Sequence, residues 1–232
     1  MYDIPSNRDA HDRLLAAFRD HMPCAPAQYS ESDDIWSDWQ NPDLLLSQTC
    51  GLPFRAKLHG SVSLVATPDN HVEGCPPGYY HSVIIARAGS TPDLADNDFT
   101  LAYNEPLSQS GWAAPASIGI TGAKRLQTGS HHFSAKAVID ARADVAAIDA
   151  LTWHFLMRDW VDAGKLKAIA KTPPTPTLPY ITARGHNPEP IRSALARAIL
   201  DIGPGDRETL QIFGLVPIDA AEYCAQPIPA PP

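Results

Sequence analysis

The sequence predicts an α/β fold with mostly parallel sheets and flanking helices, divided into two lobes by a two-segment hinge. Three observations predict it. Strand-like and helix-like runs alternate nearly throughout the 232 residues, the pattern of sheets with helical crossovers. The run "YYHSVIIARAG" (79–89) is apolar enough to read as a central strand. Two segments, one around 85–97 and one from 168 through the prolines to 182, look like crossings between lobes. Residues 1–88 with 180–232 then form the first lobe and 89–179 the second, with a ligand between them.

The elements follow in order. Ser6 and Asp9 make a capping-box-like start after Pro5, and Leu14, Leu15, Phe18 and Met22 fall on one helical face. Residues 24–42 are polar and turn-rich, with Trp36 and Trp39 expected to pack. "DLLLSQTCG" (43–51) gives a short buried strand, and "SVSLVATP" (61–68) another. "FTLAYN" (99–104) is a strand. "SQSGWAAPASIG" then opens a helix that Pro115 restrains within its first turns. "AKRLQTGS" (123–130) leads into a helix over 131–143 with Phe133, Ala137 and Val138 on one face. "DVAAID" (144–149) is a buried strand, "ALTWHFLMRDWV" (150–161) a helix and "KLKAIAKT" (165–172) a strand. After "TPPTPTLPY" come "YITA", a helix over 188–202 and a last helical pair to Cys224. The proline-rich tail reads as frayed.

Composition excludes several function classes. The net charge is −8, from 18 basic and 26 acidic residues, and no basic cluster offers itself to nucleic acid or an anionic membrane. A small anion stays possible, because neutral donors in a buried site hold one. No apolar run approaches the roughly 18 residues of a spanning helix, so a soluble chain without membrane insertion is expected. No secretory signal is visible at "MYDIPSNRDAHDRLLAAF". The four cysteines form no CxxC and allow three complete pairings. Cys50 and Cys75 each sit in a Gly/Pro-marked loop after a strand-like run, and a disulfide between them stands against two separate buried thiols.

Four turns share one pattern of strand, small hydroxylated or Gly-containing turn, then helix: "SQTCG" (47–51), "SQSG" (108–111), "TGSH" (128–131) and "IDALTW" (148–153). A helix start leaves N–H groups unpaired and partly positive. Ser and Thr hydroxyls donate to an oxyanion, and Gly111 or Gly129 lets backbone come close. Taken singly, each Ser or Thr reads as an ordinary N-cap worth about 1 kcal/mol. Four such turns together suggest a cleft for a small anion.

Sharper chemistries find less support. Ser108 or Ser110, His131 and Asp149 are candidates for a nucleophile, base and orienter, but no glycine stands two before the serine as in a nucleophile elbow. His131 and His132 are adjacent and lack a metal-ligand spacing. His81 and His154 stand alone beside apolar runs, where packing is the expected role. No GxGxxG follows a strand and no GxxxxGK[ST] occurs, so no nucleotide cofactor is implied. Tyr79, Tyr80, Trp112 and Trp153 flank the turns, as packing residues or as an aromatic wall.

The series "LLLSQTCGLPF", "GYYHSVIIAR", "LAYNEPLSQSGWAAP", "TGSHHFSAKAVIDARADVAAID" and "TPPTPTLPYITA" resembles the phosphate/phosphonate-type periplasmic substrate-binding proteins of ABC transporters. The resemblance runs from about 43 to 183. It implies a type II periplasmic-binding-protein fold that closes on one ligand. It also implies that Ser108, Gln109, Ser110, Thr128, Ser130 and His131 hold phosphonate oxygens. Asp149 falls where the family can place a group facing a ligand's cationic part, and Tyr80 near the tyrosine lining the cleft. Thr49, with the backbone around Cys50 and Gly51, is added from the turn pattern alone.

"MYDIPSN" resembles the end of the family's first strand and the turn after it. The chain lacks the long C-terminal helices of some relatives, as in a short, orphan branch. The expected function is a non-enzymatic receptor for a small oxyanion (phosphonate, phosphate or phosphite-like), without cofactor or metal, working as a monomer with an ABC permease. His131 is expected to tune which charge state binds. Location is periplasmic by resemblance and cytoplasmic if the chain's start is its natural one. The alternatives are an enzyme on the same fold, in thiamine-pyrimidine or menaquinone precursor synthesis, and a sensor or assembly partner that has lost its ligand.

Overall fold

The most apolar run of the sequence, Ser82–Arg87, is an inner strand of a five-stranded sheet. Side chains alternate across a strand. Val83 and Ile85 therefore enter one core cluster with Val138 and Leu156, while Ile84 and Ala86 enter another with Trp112 and Leu101. Ala146 and Ile148 of Val145–Asp149 join the first cluster, Val145 and Ala147 the second. Burial on both faces is why these runs read as continuous rather than alternating apolar stretches.

A computed structural model describes residues 2, 4–30, 32 and 34–232. By its own contacts the chain divides into two units, one of residues 1–73 and 176–224 and the other of 74–175 and 225–232. The crossings thus fall at 73/74 and 175/176, not within 85–97. Residues 74–88, expected in the first lobe, belong with the second. The short tail joins the second unit as well, where the Trp112 indole N–H donates to the Ala230 carbonyl at 2.8 Å.

In the second unit the strand order is Lys124–Gln127, Thr100–Tyr103, Val145–Asp149, Ser82–Arg87, Leu166–Lys171. Thr100–Tyr103 is parallel to both of its neighbours. Ser82–Arg87 is antiparallel to both of its own. The incoming and outgoing strands of the unit thus lie side by side in opposite senses, which brings both crossings to one end of the sheet.

In the first unit, Ser47–Gln48, Tyr180–Ala183, Val62–Asp69 and Gly214–Val216 form a four-stranded sheet whose pairings are all antiparallel. The expectation of mostly parallel sheets is therefore corrected to mixed. Apolar patterning reports burial, and the direction of a strand depends on where its crossover returns.

The helix Arg8–His21 turns Ala10, Leu14 and Phe18 into the first unit's core, against Ile191, Leu195 and Ile199 of Pro188–Asp201. Its cap position is Asn7, without a side-chain cap bond, instead of the Ser6/Asp9 box. The strand end expected at "MYDIPSN" rests partly on Met1 and Asp3, outside the described residues, and Pro5–Asn7 forms a 3-10 turn. Phe133, expected inward, is 54% exposed, and Ser134, Ala135, Ala137 and Val138 form the buried side of their helix. The expected last helical pair exists as Pro204–Leu210 and Ala220–Cys224, separated by the Gly214–Val216 strand.

All four cysteines are free thiols, so the Cys50–Cys75 disulfide is not formed. Cys50 is the cap residue of the Gly51–Pro53 turn in the first unit. Cys75 stands at the start of the second, its sulfur 3.3 Å from His81 Nδ1. No helix among the described residues is long and apolar enough to cross a membrane.

One buried hydroxyl ties the first unit together. Tyr223 is 1% exposed, donates to the Thr177 carbonyl at 2.8 Å and shares a 2.7 Å hydrogen bond with Thr67 Oγ1. Removing it strands two buried partners, and each unsatisfied group costs about 1–3 kcal/mol. Tyr223→Phe is therefore expected to destabilise the protein by roughly 1.5–3 kcal/mol. Urea unfolding checks this, and an unchanged midpoint contradicts it.

Candidate ligand-binding site

The segment "YNEPLSQSGWAAP" leaves the Thr100–Tyr103 strand and enters a π-helical turn, Gln109–Ala113, continued by Ala114–Ser117. Ser108 is its cap, accepting the Gly111 N–H at 2.9 Å. Ser108, Gln109 and Ser110 are all buried, at 3%, 3% and 1% exposure. A side chain on Gly111 has no room, because a Cβ there lies 1.9 Å from Asn104 Oδ1 and 3.1 Å from Ser108 Oγ. The absent side chain at 111 is what lets the turn close over Asn104.

The second turn follows the neighbouring strand. Thr128 and Gly129 donate their N–H groups to the carbonyls of Tyr103 and Asn104, at 2.9 and 3.0 Å. The chain then bends at Gly129, with φ +82°, into the helix His131–Ile139. Ser130 caps this helix, accepting the Phe133 N–H at 3.1 Å. Thr128 Oγ1 lies among the Tyr103 and Ser130 carbonyls and Ser134 Oγ at 2.7 Å. Thr128 therefore positions the turn and has little left for a ligand.

His131 joins the two turns. Its Nε2 shares a hydrogen bond with Ser110 Oγ at 3.0 Å and lies 3.4 Å from Asp149 Oδ2. Asp149 ends its strand and caps the helix Ala150–Asp159, where Oδ1 accepts the Thr152 N–H at 2.8 Å and Oδ2 the Thr152 hydroxyl. Side-chain exposure is 14% for His131 and 4% for Asp149. Burial pushes the His131 ring below its ordinary value, opposed by the Asp149 carboxylate and the Ala147 carbonyl. In a hydrolase triad the carboxylate orients one ring nitrogen while the hydroxyl meets the other. Here both partners face Nε2, so the geometry has no relay.

Capping and anion binding do not compete at these serines. A capping hydroxyl accepts through a lone pair and keeps its proton to donate. Ser108 and Ser130 thus each retain a hydroxyl proton, and Ser110 shares a hydrogen bond with His131 Nε2, beside the N–H groups of two helix starts. The Arg125 guanidinium lies 5.3 Å from the Trp112 ring and donates to the Thr121 carbonyl. Trp112 is also 5.8 Å from Tyr103 and anchors the tail, so it braces the turn instead of walling a site.

Three sequence candidates stand apart from this cluster. Gln109 turns its amide to Thr175 Oγ1 at 3.5 Å. Tyr80 is 1% exposed and lies two residues before Ser82, the register partner of Asp149. Thr49, in the first unit, is wholly buried, and its N–H donates to the Pro179 carbonyl at 3.1 Å. Among the described residues no group of three or more His, Cys, Asp or Glu is placed to hold a metal.

Residues the sequence reading missed are Asn104, Ser134 and Thr152. Asn104 Oδ1 is buried without a hydrogen-bond partner among the described residues, directly beneath Gly111. Its one signal is a polar residue at the end of an apolar strand, just ahead of a Gly-containing turn.

A protein-family model for the phosphonate ABC transporter periplasmic substrate-binding protein matches residues 43–223. A search of curated protein sequences found no significant match. Among solved structures, XAC2383 from Xanthomonas citri bound to ATP is 20% identical, with TM-score 0.70 over 96% of this chain and 94% of that one. PhnD1 from Prochlorococcus marinus in complex with methylphosphonate is 15% identical, with TM-score 0.67 over 94% and 90%. A binding protein component of an ABC phosphonate transporter from Pseudomonas aeruginosa is 18% identical, with TM-score 0.64 over 90% and 75%. At these identities the likeness is one of fold, the two-lobed type II fold of periplasmic binding proteins.

Proposed function

The chain belongs to the periplasmic substrate-binding proteins of phosphonate ABC transporters, and from that premise we propose that its second unit cradles a phosphorus oxyanion. The family is one of receptors, not enzymes, and the biosynthetic alternative has no support from it. In this reading the hydroxyls of Ser108, Ser110 and Ser130, the N–H groups of the two helix starts and the His131 ring meet the oxyanion. Thr128 and Gly129 set the second turn, Gly111 allows the first to close, and Asp149 fixes the ring. Tyr80 and Gln109 belong to the same unit as the cradle. The observation that carries the reading is the 3.0 Å contact of Ser110 Oγ with His131 Nε2, which joins two separate turns at one point.

The acidic net charge is compatible with this. A tetrahedral anion buried among matched donors depends on its hydrogen bonds more than on the sign of the whole surface. The receptor works as a monomer in the periplasm and delivers its ligand to an ABC permease.

Thermal-shift measurements with phosphate, phosphite, methylphosphonate, aminoethylphosphonate, sulfate and ATP test the reading. A ligand at 100 times its dissociation constant stabilises by about 2.7 kcal/mol, which in a chain of this size raises the midpoint by roughly 5–10 °C. One phosphorus oxyanion is expected to give such a shift. Ser110→Ala is expected to cut affinity for it at least ~10-fold, the cost of about one charge-assisted hydrogen bond, with little change in the unliganded midpoint. A full shift in the Ser110→Ala variant removes the cradle as the site.

A further inference from the structure

The His131 ring is held between a hydroxyl and a carboxylate on the same nitrogen. Nε2 faces Ser110 Oγ at 3.0 Å and Asp149 Oδ2 at 3.4 Å, while Nδ1 is enclosed and the Ala147 carbonyl is the backbone group that bears on the ring. Asp149 does not swing away, because the Thr152 N–H and hydroxyl hold both its oxygens. A fixed negative charge therefore stands beside a cradle that is to receive an anion.

The helix carrying His131 packs against four strands and one helix of its own unit, and most of their charged groups are engaged. Arg87 donates to the Val138 and Ala143 carbonyls, Lys136 pairs with Asp140, and Arg158 with Asp159. Asp144 accepts the Thr100 N–H, Lys171 bears on Cys75, and His132 lies on the Trp160 ring. Lys167, His154 and Tyr103 complete the charged or titratable groups of these elements. Asp149 alone among them exerts a charge effect on the His131 ring.

We propose that the receptor binds its oxyanion together with one proton, the ligand docking as a dianion while His131 becomes an imidazolium beside Ser110 and Asp149. The inference rests on the oxyanion reading above. Burial keeps the empty site's ring neutral near neutral pH, so the proton is not already in place. A second negative charge close to the ring raises its proton affinity. The proton comes from the buffer acid and ends on the bare ring nitrogen, and the balance closes without any other reactant. An acidic protein thereby neutralises part of a bound dianion through a histidine.

Calorimetric titration with phosphite, methylphosphonate and inorganic phosphate tests this, in Tris and HEPES at about pH 8.5, well above the second ionisation of a phosphorus oxyanion. The difference in heat between buffers of unequal ionisation enthalpy gives the protons taken up. The expected result for the wild type is a clear proton uptake, reduced to near zero in His131→Gln. Binding heat with no uptake overturns the inference and leaves the oxyanion reading standing, as does equal uptake in His131→Gln. No binding heat with any of the three probes overturns both. Where His131→Gln binds too weakly to titrate, nitrogen NMR of the wild-type ring decides: two protonated nitrogens with probe bound support the proposal, and a neutral ring overturns it.

Discussion

Asp149→Ala is expected to destabilise the ligand-free protein by about 2–4 kcal/mol, combining a lost helix cap with a buried polar network left open. The carboxylate is the cap of Ala150–Asp159 and the neighbour of a nearly enclosed imidazole. Alanine leaves the Thr152 N–H and hydroxyl without their acceptors. In a chain of this length the midpoint should fall by roughly 5–15 °C. Asp149→Asn keeps an oxygen for the Thr152 N–H, and asparagine caps about as well as aspartate. It is expected to stay within about 1 kcal/mol of the wild type. Differential scanning calorimetry of the two variants separates the cap from the charge. Equal losses in both assign the whole effect to the carboxylate's charge.

Gly111→Ala is the second large effect, and it acts on binding more than on folding. The new methyl meets Asn104 Oδ1 at 1.9 Å and Ser108 Oγ at 3.1 Å, so Asn104 must turn away and the cap bond from Gly111 to Ser108 must loosen. Crowding of this kind costs about 1–3 kcal/mol. Moving Ser110 by a fraction of an ångström separates it from His131, so affinity for the oxyanion is expected to drop about 10–100-fold. The double variant Gly111→Ala/Asn104→Ala removes the closest contact and is expected to recover most of the loss. Non-additivity is what residues in direct contact show. A Gly111→Ala protein with wild-type affinity and midpoint contradicts the close approach.

Both predictions rest on residues of unequal visibility. Gly111 and Asp149 stand in turns whose grammar is local: a strand end, a small or capping residue, a helix start. Local grammar depends on neighbours in sequence, so capping serines in the turns of Ser108 and Ser130 were legible, while Asp149 was read as a ligand-facing group and proves to be a cap. Their partners Asn104, Ser134 and Thr152 were legible only as ordinary polar residues. Each acts through a contact made possible by the sheet, which sets the ends of Thr100–Tyr103, Lys124–Gln127 and Val145–Asp149 side by side. The resemblance in the turns covered the family, and the family model reaches the same conclusion over 43–223.

By itself the sequence determined the α/β character, the inner strand at Ser82–Arg87, the buried face of the Arg8–His21 helix and the family. These depend on periodicity and on short-range steric and hydrogen-bonding preferences, which the residues carry with them. Only the tertiary structure decided strand direction, the crossings at 73/74 and 175/176, the free state of Cys50 and Cys75, and the return of the tail to Trp112. It also decided that Ser110 and Asp149 meet the same nitrogen of His131. The physical reason is that these are long-range pairings. Nothing local penalises the alternatives, and the choice follows from which side chains the sheet and its cores bring together.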